Sequence, residues 1–350
     1  MIKFVHAADF HLDSAFSNLS AEQAKERRKE QRQALSDFAQ ACEGCDLVLL
    51  AGDLFDGDQV YLDTVEALKS CFASISAPIY IAPGNHDPMK DDSPYLREDW
   101  GENVYIFRKQ EIERIELPDC DLYGAAYTEG NWEPLEDFAV VDPQRLNILL
   151  LHTGAEYNPI TVEQIVASGL DYLALGHVHS ADVRKEGDTT YAYSGCLMGR
   201  GFDECGKKGL LKVRLSKFAC ETEFCPIGSR RYETLDVEIG DDPLQSVLAA
   251  LPADSEEHIF SIHLSGCGSN LSLPELHREL KKHCYAVELH DHTENKVDLW
   301  DGRTEDTLRG EVLKDLYAQW EAAQTEEEKE KIRGAAQLLR DLMDGREVSL

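Results

Sequence analysis

Five short polar motifs, each set directly after an apolar run, constrain this chain more than any other feature. They are Asp9-Phe10-His11, Gly52-Asp53-Leu54-Phe55-Asp56, Gly84-Asn85-His86-Asp87, His152 after the run at 149–151, and Gly176-His177-Val178-His179. An apolar run closed by polar residues reads as a buried strand that delivers side chains at its end. The ends of neighbouring strands converge in space while the sheet holds them still. In Asp9-x-His11 and His177-x-His179 the two-residue step puts both side chains on the same side of an extended chain. Gly52, Gly84 and Gly176 allow the sharp turns and close approaches such convergence requires.

The rest of the first two-thirds fits that picture. Ile2–Ala7 reads as a first strand, and further apolar runs fall at 46–51, 78–82, 122–126, 146–151 and 172–175, with strand-like stretches at 190–193 and 210–215. Several are continuous rather than alternating, as expected for strands covered on both faces. Ser20 opens a helix with Gln23 at capping-box spacing, and Leu35, Phe38, Ala39 and Cys42 form its buried stripe. The expected fold class is α/β: a layered β-sandwich flanked by helices, ending near residue 228. Beyond it, strand, helix, strand, helix and strand are expected at 232–239, 242–251, 258–264, 273–283 and 285–290, a small α+β cap domain. From 304 onward two apolar stripes follow, Leu308, Val312, Leu316, Trp320 and then Ile332, Ala335, Leu339, Leu342. Thr325 and Glu328 cap the second helix. This is a helical hairpin. The division is thus 1–228, a catalytic domain; 229–300, a cap; and 301–350, a hairpin that is a candidate partner-docking element.

Charge sets limits on what such a chain binds. There are 35 Lys+Arg against 66 Asp+Glu, a net −31. That argues against a protein gripping nucleic-acid phosphates over its whole surface, while leaving room for a local basic patch or a basic partner. No apolar run reaches the ~18 residues of a membrane span. The N-terminus lacks signal-peptide organisation, so a cytoplasmic location is expected. The ten cysteines then sit in a reducing compartment. Cys42-Glu43-Gly44-Cys45 is half of a zinc spacing with nothing nearby to complete it, and reads as buried or helix-end thiols.

The mixture of residues in the five motifs suits divalent metal chemistry. Carboxylates supply charge against two cations, imidazoles supply neutral nitrogen, and one carboxylate can bridge both ions. Two metals roughly 3.5–4 Å apart can activate a water and clamp a phosphoryl oxygen for in-line attack. Mixed oxygen and imidazole ligands suit manganese, iron or zinc.

All five motifs, in this order, resemble those of the calcineurin-like metallophosphoesterases over residues 9–179. More narrowly the chain resembles the SbcD-type DNA-repair nucleases, including the YhaO-like exonucleases. That likeness rests on His11-Leu12-Asp13-Ser14, Ala51-Gly52-Asp53-Leu54-Phe55-Asp56 and the stretch from Gly199-Arg200-Gly201-Phe202-Asp203-Glu204 to Gly209. The C-terminal hairpin is similar to the tail of that group. The resemblance implies one metal on Asp9, His11 and His179, another on Asn85, His152 and His177, and Asp53 between them. It implies His86 as the catalytic histidine that is not a ligand, with Asp87 orienting it, and it favours manganese. Some relatives carry histidine where this chain has Asp56, so Asp56 is assigned no direct catalytic role. Partners implied are DNA, an SbcC-like coiled-coil ATPase and a second copy of the chain as a homodimer.

Other residues carry simpler readings. His6 reads as a hydrogen-bonded core histidine, and His290-Asp291-His292 as an exposed strand end. Arg200, Lys207 and Lys208 either contact a phosphate backbone or form a solvated turn. Two alternatives to the nuclease stand beside it: a phosphodiesterase or phosphatase of nucleotides or other small phosphoesters, and a scaffold tethering an ATPase to DNA ends. The order of the motifs leaves exonuclease against endonuclease, strand polarity, and DNA against RNA open.

Overall fold

The computed structural model describes all residues except 58–59, 229, 241, 267–271, 294–298 and 344–350, together with the Asp341 side chain. The last residues of the expected hairpin therefore lie outside the described residues. Contacts divide the chain into two compact units, Met1–Thr234 with Glu257–Ile259, and Leu235–Glu256 with Phe260–Leu350.

In the first unit, strands β1 (Ile2–Ala7), β2 (Leu47–Leu50), β3 (Ile79–Ile81) and β4 (Val104–Ile106) run parallel in one sheet. Strands β5 (Glu113–Glu116), β6 (Cys120–Gly124), β7 (Leu146–His152), β8 (Tyr172–Gly176), β9 (Asp182–Glu186) and β10 (Thr189–Tyr193) make the second, in the order β5-β6-β7-β8-β10-β9. The hairpin β11 (Gly209–Ser216) and β12 (Ala219–Pro226) returns to complete the first sheet as β12-β11-β1-β2-β3-β4. Both sheets are mixed: parallel in the middle, antiparallel at their β5, β9 and β11–β12 margins.

Period-2 alternation explains why the central runs are apolar throughout. Ile148 and Leu150 of β7, with Tyr172 and Ala174 of β8, join the core shared with Phe4, Leu49 and Ile81 of the first sheet. Their neighbours Leu149, Leu151, Leu173 and Leu175 point the other way, into a second core with Ile165 of helix α4 (Val162–Ser168). Each strand is therefore buried on both faces. Helices α1 (Ala21–Ala41) and α2 (Leu62–Ser74) add Leu35, Phe38, Leu68 and Phe72 to the shared core, and the short α3 (Pro94–Arg97) adds Tyr95. Ser20 caps α1 with the expected reciprocal bonds to Gln23. His6 is buried as expected, its ring nitrogens 3.1 Å from Tyr172 Oη and 3.1 Å from the Leu175 carbonyl.

A three-stranded sheet in the order β13 (Tyr232–Ile239), β14 (Ile259–Gly266), β15 (Ala286–Asp291) lies in the second unit but for Tyr232–Thr234 and Ile259. It packs with helices α5 (Pro243–Ala250) and α6 (Leu273–Leu280) through Val247, Phe260, Ile262, Leu276 and Leu280. Helices α7 (Leu308–Ala322) and α8 (Glu326–Met343) form a hairpin around Trp300, Leu313 and Ala336. No helix among the described residues is long and apolar enough to cross a membrane.

Candidate metal centre

Every motif lies just past the C-terminal end of a parallel strand: β1 leads to Asp9 and His11, β2 to Asp53, β3 to Asn85 and His86, β7 ends on His152, and β8 leads to His177 and His179. The backbone bends hard to bring them together. Asp9, His11, Asp53 and His177 all have positive φ, at 54°, 43°, 52° and 98°. Left-handed backbone at non-glycine residues costs roughly 1–3 kcal/mol each and gathers where geometry serves chemistry. At Gly176 a Cβ would sit 1.8 Å from the Ala51 carbonyl, and at Gly84 only 2.2 Å from Asp53 Oδ1.

The hydrogen bonds behind each imidazole fix which nitrogen faces the centre. His11 Nδ1 lies 2.9 Å from Asp56 Oδ1, and His179 Nδ1 lies 2.6 Å from Glu204 Oε1. Ionised carboxylates only accept, so each Nδ1 donates, and in the neutral ring each Nε2 is a bare lone pair. Those two Nε2 atoms face one another at 3.2 Å. Two lone pairs so placed repel unless a proton or a metal cation lies between them. The spacing also matches the ~3.3 Å expected for two imidazoles sharing one tetrahedral ion at the usual bond lengths. His152 Nδ1 donates to the Ala51 carbonyl at 2.8 Å, so its Nε2, 2.9 Å from Asn85 Oδ1 and 3.3 Å from Asp53 Oδ2, is the nitrogen that carries either a proton or a metal ion. His177 Nδ1 is 3.3 Å from the same Asn85 oxygen.

Asp53 stands between the two halves. Its Oδ2 is 3.7 Å from His11 Nε2 on one side and near His152 on the other, while Oδ1 accepts the His86 amide at 2.8 Å. Three groups bring one ligand atom each within 4.8 Å of one another: Asp9, His11, His179; His11, Asp53, His86; and Asp9, Asp53, His152. Cysteine enters none of these groups among the described residues. The donor set of carboxylate oxygens and aimed imidazole nitrogens fits divalent cations.

Electrostatics reflect burial and crowding. Burial raises the Asp9 carboxyl to about 6, opposed by His152, with the Asp53 charge adding to the rise. Burial would raise Asp53 too, but His152 and His11 hold it well below the usual carboxylate range. Burial lowers His11 to about 4. His152 is pushed up to about 9, since the Asp53 charge outweighs burial.

Asp87 departs from expectation. Its oxygens accept amides from Gly84 at 2.7 Å, Leu54 at 2.6 Å, Asp53 at 3.2 Å and Phe55 at 3.2 Å, and the Tyr95 hydroxyl at 2.6 Å. Facing backbone, it braces the turns that carry Asp53 and Asn85 rather than orienting the His86 ring. Burial and the Asp53 charge raise its carboxyl to about 7. The His86 ring is 44% exposed, packs edge-on to His11 at 4.8 Å, and has Nδ1 3.8 Å from Asp56.

Three residues around the centre were outside the expected site: Asp56, Arg200 and Glu204. Arg200 is neither a free phosphate contact nor part of a solvated turn, for it bridges Asp56 at 2.8 Å and Glu204 at 2.8 Å. Lys208 reaches the His179 carbonyl at 3.0 Å, and Lys207 is exposed. The late histidine pair is a strand end as expected. His290 stacks on His263 at 4.6 Å, and Asp291 and His292 are exposed.

The profile of the calcineurin-like phosphoesterases matches residues 2–181. The uncharacterized metallophosphoesterase YhaO of Bacillus subtilis is 32% identical over 253 residues, 64% of this chain and 60% of that one. The DNA double-strand break repair protein Mre11 of Aeropyrum pernix is 26% identical over 280 residues, 69% of this chain and 64% of that one. The chain thus spans less than two-thirds of the length of both relatives. A solved archaeal phosphodiesterase matches with TM-score 0.35 and 16% identity, over 63% of this chain and 99% of its own, too distant to bear on activity. A metallophosphoesterase with His/Asp clusters suited to metal, the chain belongs to the calcineurin-like phosphoesterase family.

Proposed function

We propose that the chain is a two-metal-dependent phosphodiester hydrolase working as a DNA-repair exonuclease subunit, with manganese as its metal and an SbcC-like coiled-coil ATPase as its partner. The observation that carries the metal part is the convergence of His11 and His179 Nε2, 3.2 Å apart and grouped with Asp9, with Asp53 Oδ2 between the two halves of the site. In this reading Asp9, His11 and His179 would hold one ion and Asn85, His152 and His177 the other, with Asp53 available to both. When bound, the ions supply water activation at neutral pH and a clamp on the phosphoryl group. The chain's own residues hold this arrangement through strained backbone and buried hydrogen bonds. His86, half exposed beside His11, gives a proton to the leaving oxygen in this reading.

The nuclease part is supported by likeness to YhaO and to Mre11, the latter a protein of DNA double-strand break repair. The reading extends to the second unit, with residues 229–300 as the domain that positions substrate and 301–350 as the docking hairpin. The net charge of −31 favours a second reading, a small phosphoester substrate, because an acidic surface repels a polyanion. A basic partner removes that objection.

The test is manganese-dependent cleavage of linear double-stranded DNA with the ATPase partner present, for wild type and His86→Ala. The expected result is cleavage by wild type, reduced roughly 10²–10⁴-fold in the variant, the usual weight of a general acid. Intact DNA alongside hydrolysis of nucleotide phosphodiesters would overturn the nuclease reading and leave the small-substrate one.

A further inference from the structure

We infer that Arg200 is a positioning residue that sets the affinity of one metal position above the other, acting through Glu204 and Asp56. The inference rests on the two-metal reading and adds to it a difference between its halves.

The halves are backed differently. At the Asp9, His11, His179 position each imidazole gives its Nδ1 proton to a carboxylate, Asp56 at 2.9 Å and Glu204 at 2.6 Å. At the other position His152 leans on a neutral carbonyl, that of Ala51. Carboxylates behind ligating imidazoles make them more basic and fix their orientation, and losing such support costs about 10–100-fold in metal affinity. The first position should therefore bind its ion more tightly.

A single guanidinium holds both supporting carboxylates. Arg200 Nη1 donates to Asp56 Oδ1 at 2.8 Å, and Nη2 and Nε donate to Glu204 Oε1 at 2.8 and 3.1 Å; Nη2 also lies 3.2 Å from His179 Nδ1, whose proton goes to the nearer Glu204 oxygen at 2.6 Å. The Arg200 amide binds the remaining Glu204 oxygen at 2.7 Å, so the clamp closes on its own short turn. Glu204 is only 2% exposed and Arg200 20%. Two carboxylates converging on neighbouring histidines would repel and splay without the cation between them. A planar fork reaches both at once, which the point charge of a lysine does not. With its donors so occupied, Arg200 serves the metal ligands rather than the substrate.

The experiment titrates metal-free, full-length protein with Mn²⁺, followed by calorimetry and by electron paramagnetic resonance. Wild type is expected to show a tighter and a weaker step, the tighter one lost in His179→Ala. Glu204→Gln and Arg200→Lys should each weaken the tighter step about 10–100-fold and leave the weaker within about twofold. The double variant should weaken it by less than the product of the two, because both break one clamp. Near-ultraviolet circular dichroism checks that each variant is folded. Unchanged titrations in both variants, or equal weakening of both steps, would overturn the role. Failure of the two-metal reading looks different: wild type takes up fewer than two ions, or Asp53→Ala binds as wild type does.

Discussion

A histidine becomes a metal ligand when something else claims its other nitrogen, and in this site that claim is met for His11, His152 and His179. The candidate ligands themselves were legible, because each stands directly after an apolar run. Their supports were not. Glu204 and Arg200 lie in a turn some 190 residues from Asp9, and only the paired sheets bring that turn under His179. The quoted stretch at 199–209 held the signal, yet nothing in its spacing says which histidine the carboxylate meets. Asp87 was legible as a site residue and not as a brace, since all its partners but the Tyr95 hydroxyl are backbone amides, which carry no sequence signature. The closeness of Gly84 to Asp53 gives a residue-level prediction. A methyl group there would lie 2.2 Å from Asp53 Oδ1, so Gly84→Ala must displace the central carboxylate. Calorimetry should show Mn²⁺ binding weakened by at least tenfold while circular dichroism remains native. Binding at wild-type strength would mean that the turn yields and Asp53 stays in place.

Among the elements, the central strands and α1 were readable from continuous apolar runs and a capping box, and the margins were not. Strands β5, β9 and β12 are short or half exposed and rich in charge, so no buried face marks them. Helix α4 escaped notice although Thr161 and Gln164 form a full capping box, a signal the sequence did contain. Strand β1 does more than carry Asp9: its His6 side chain ties the first sheet to Tyr172 and Leu175 of β8 in the second. Burial lowers His6 to about 3, opposed by its bond to the Leu175 carbonyl. The unfolded chain then binds a proton at the ordinary value near 6.5 that the folded chain refuses. Between those two values stability falls as pH falls, by up to about 1.4 kcal/mol per pH unit from this group. Denaturant unfolding from pH 7 to 4 should show that slope, shallower in His6→Gln. Equal slopes in the two proteins would show that His6 is not buried in its neutral form.

At the scale of the whole molecule, motif order was the decisive signal. Five motifs at five strand ends pointed to a layered α/β fold and to metal chemistry together, while net charge pointed away from nucleic acid without naming a substrate. The second unit was legible as elements, and its β-α-β-α-β run appears as β13 to β15 with α5 and α6. Specificity was not, because it depends on surface shape rather than on periodicity. The central claim is that the residues gathered at the strand ends form a metal-dependent hydrolytic centre, and it is tested most directly with a substrate that needs neither DNA nor partner. Hydrolysis of bis-p-nitrophenyl phosphate would be measured on chelator-stripped protein, before and after adding Mn²⁺, for wild type and Asp53→Ala. The account predicts no turnover when stripped, recovery on adding Mn²⁺, and no recovery in Asp53→Ala. Turnover by the stripped protein, or full recovery in Asp53→Ala, would contradict it.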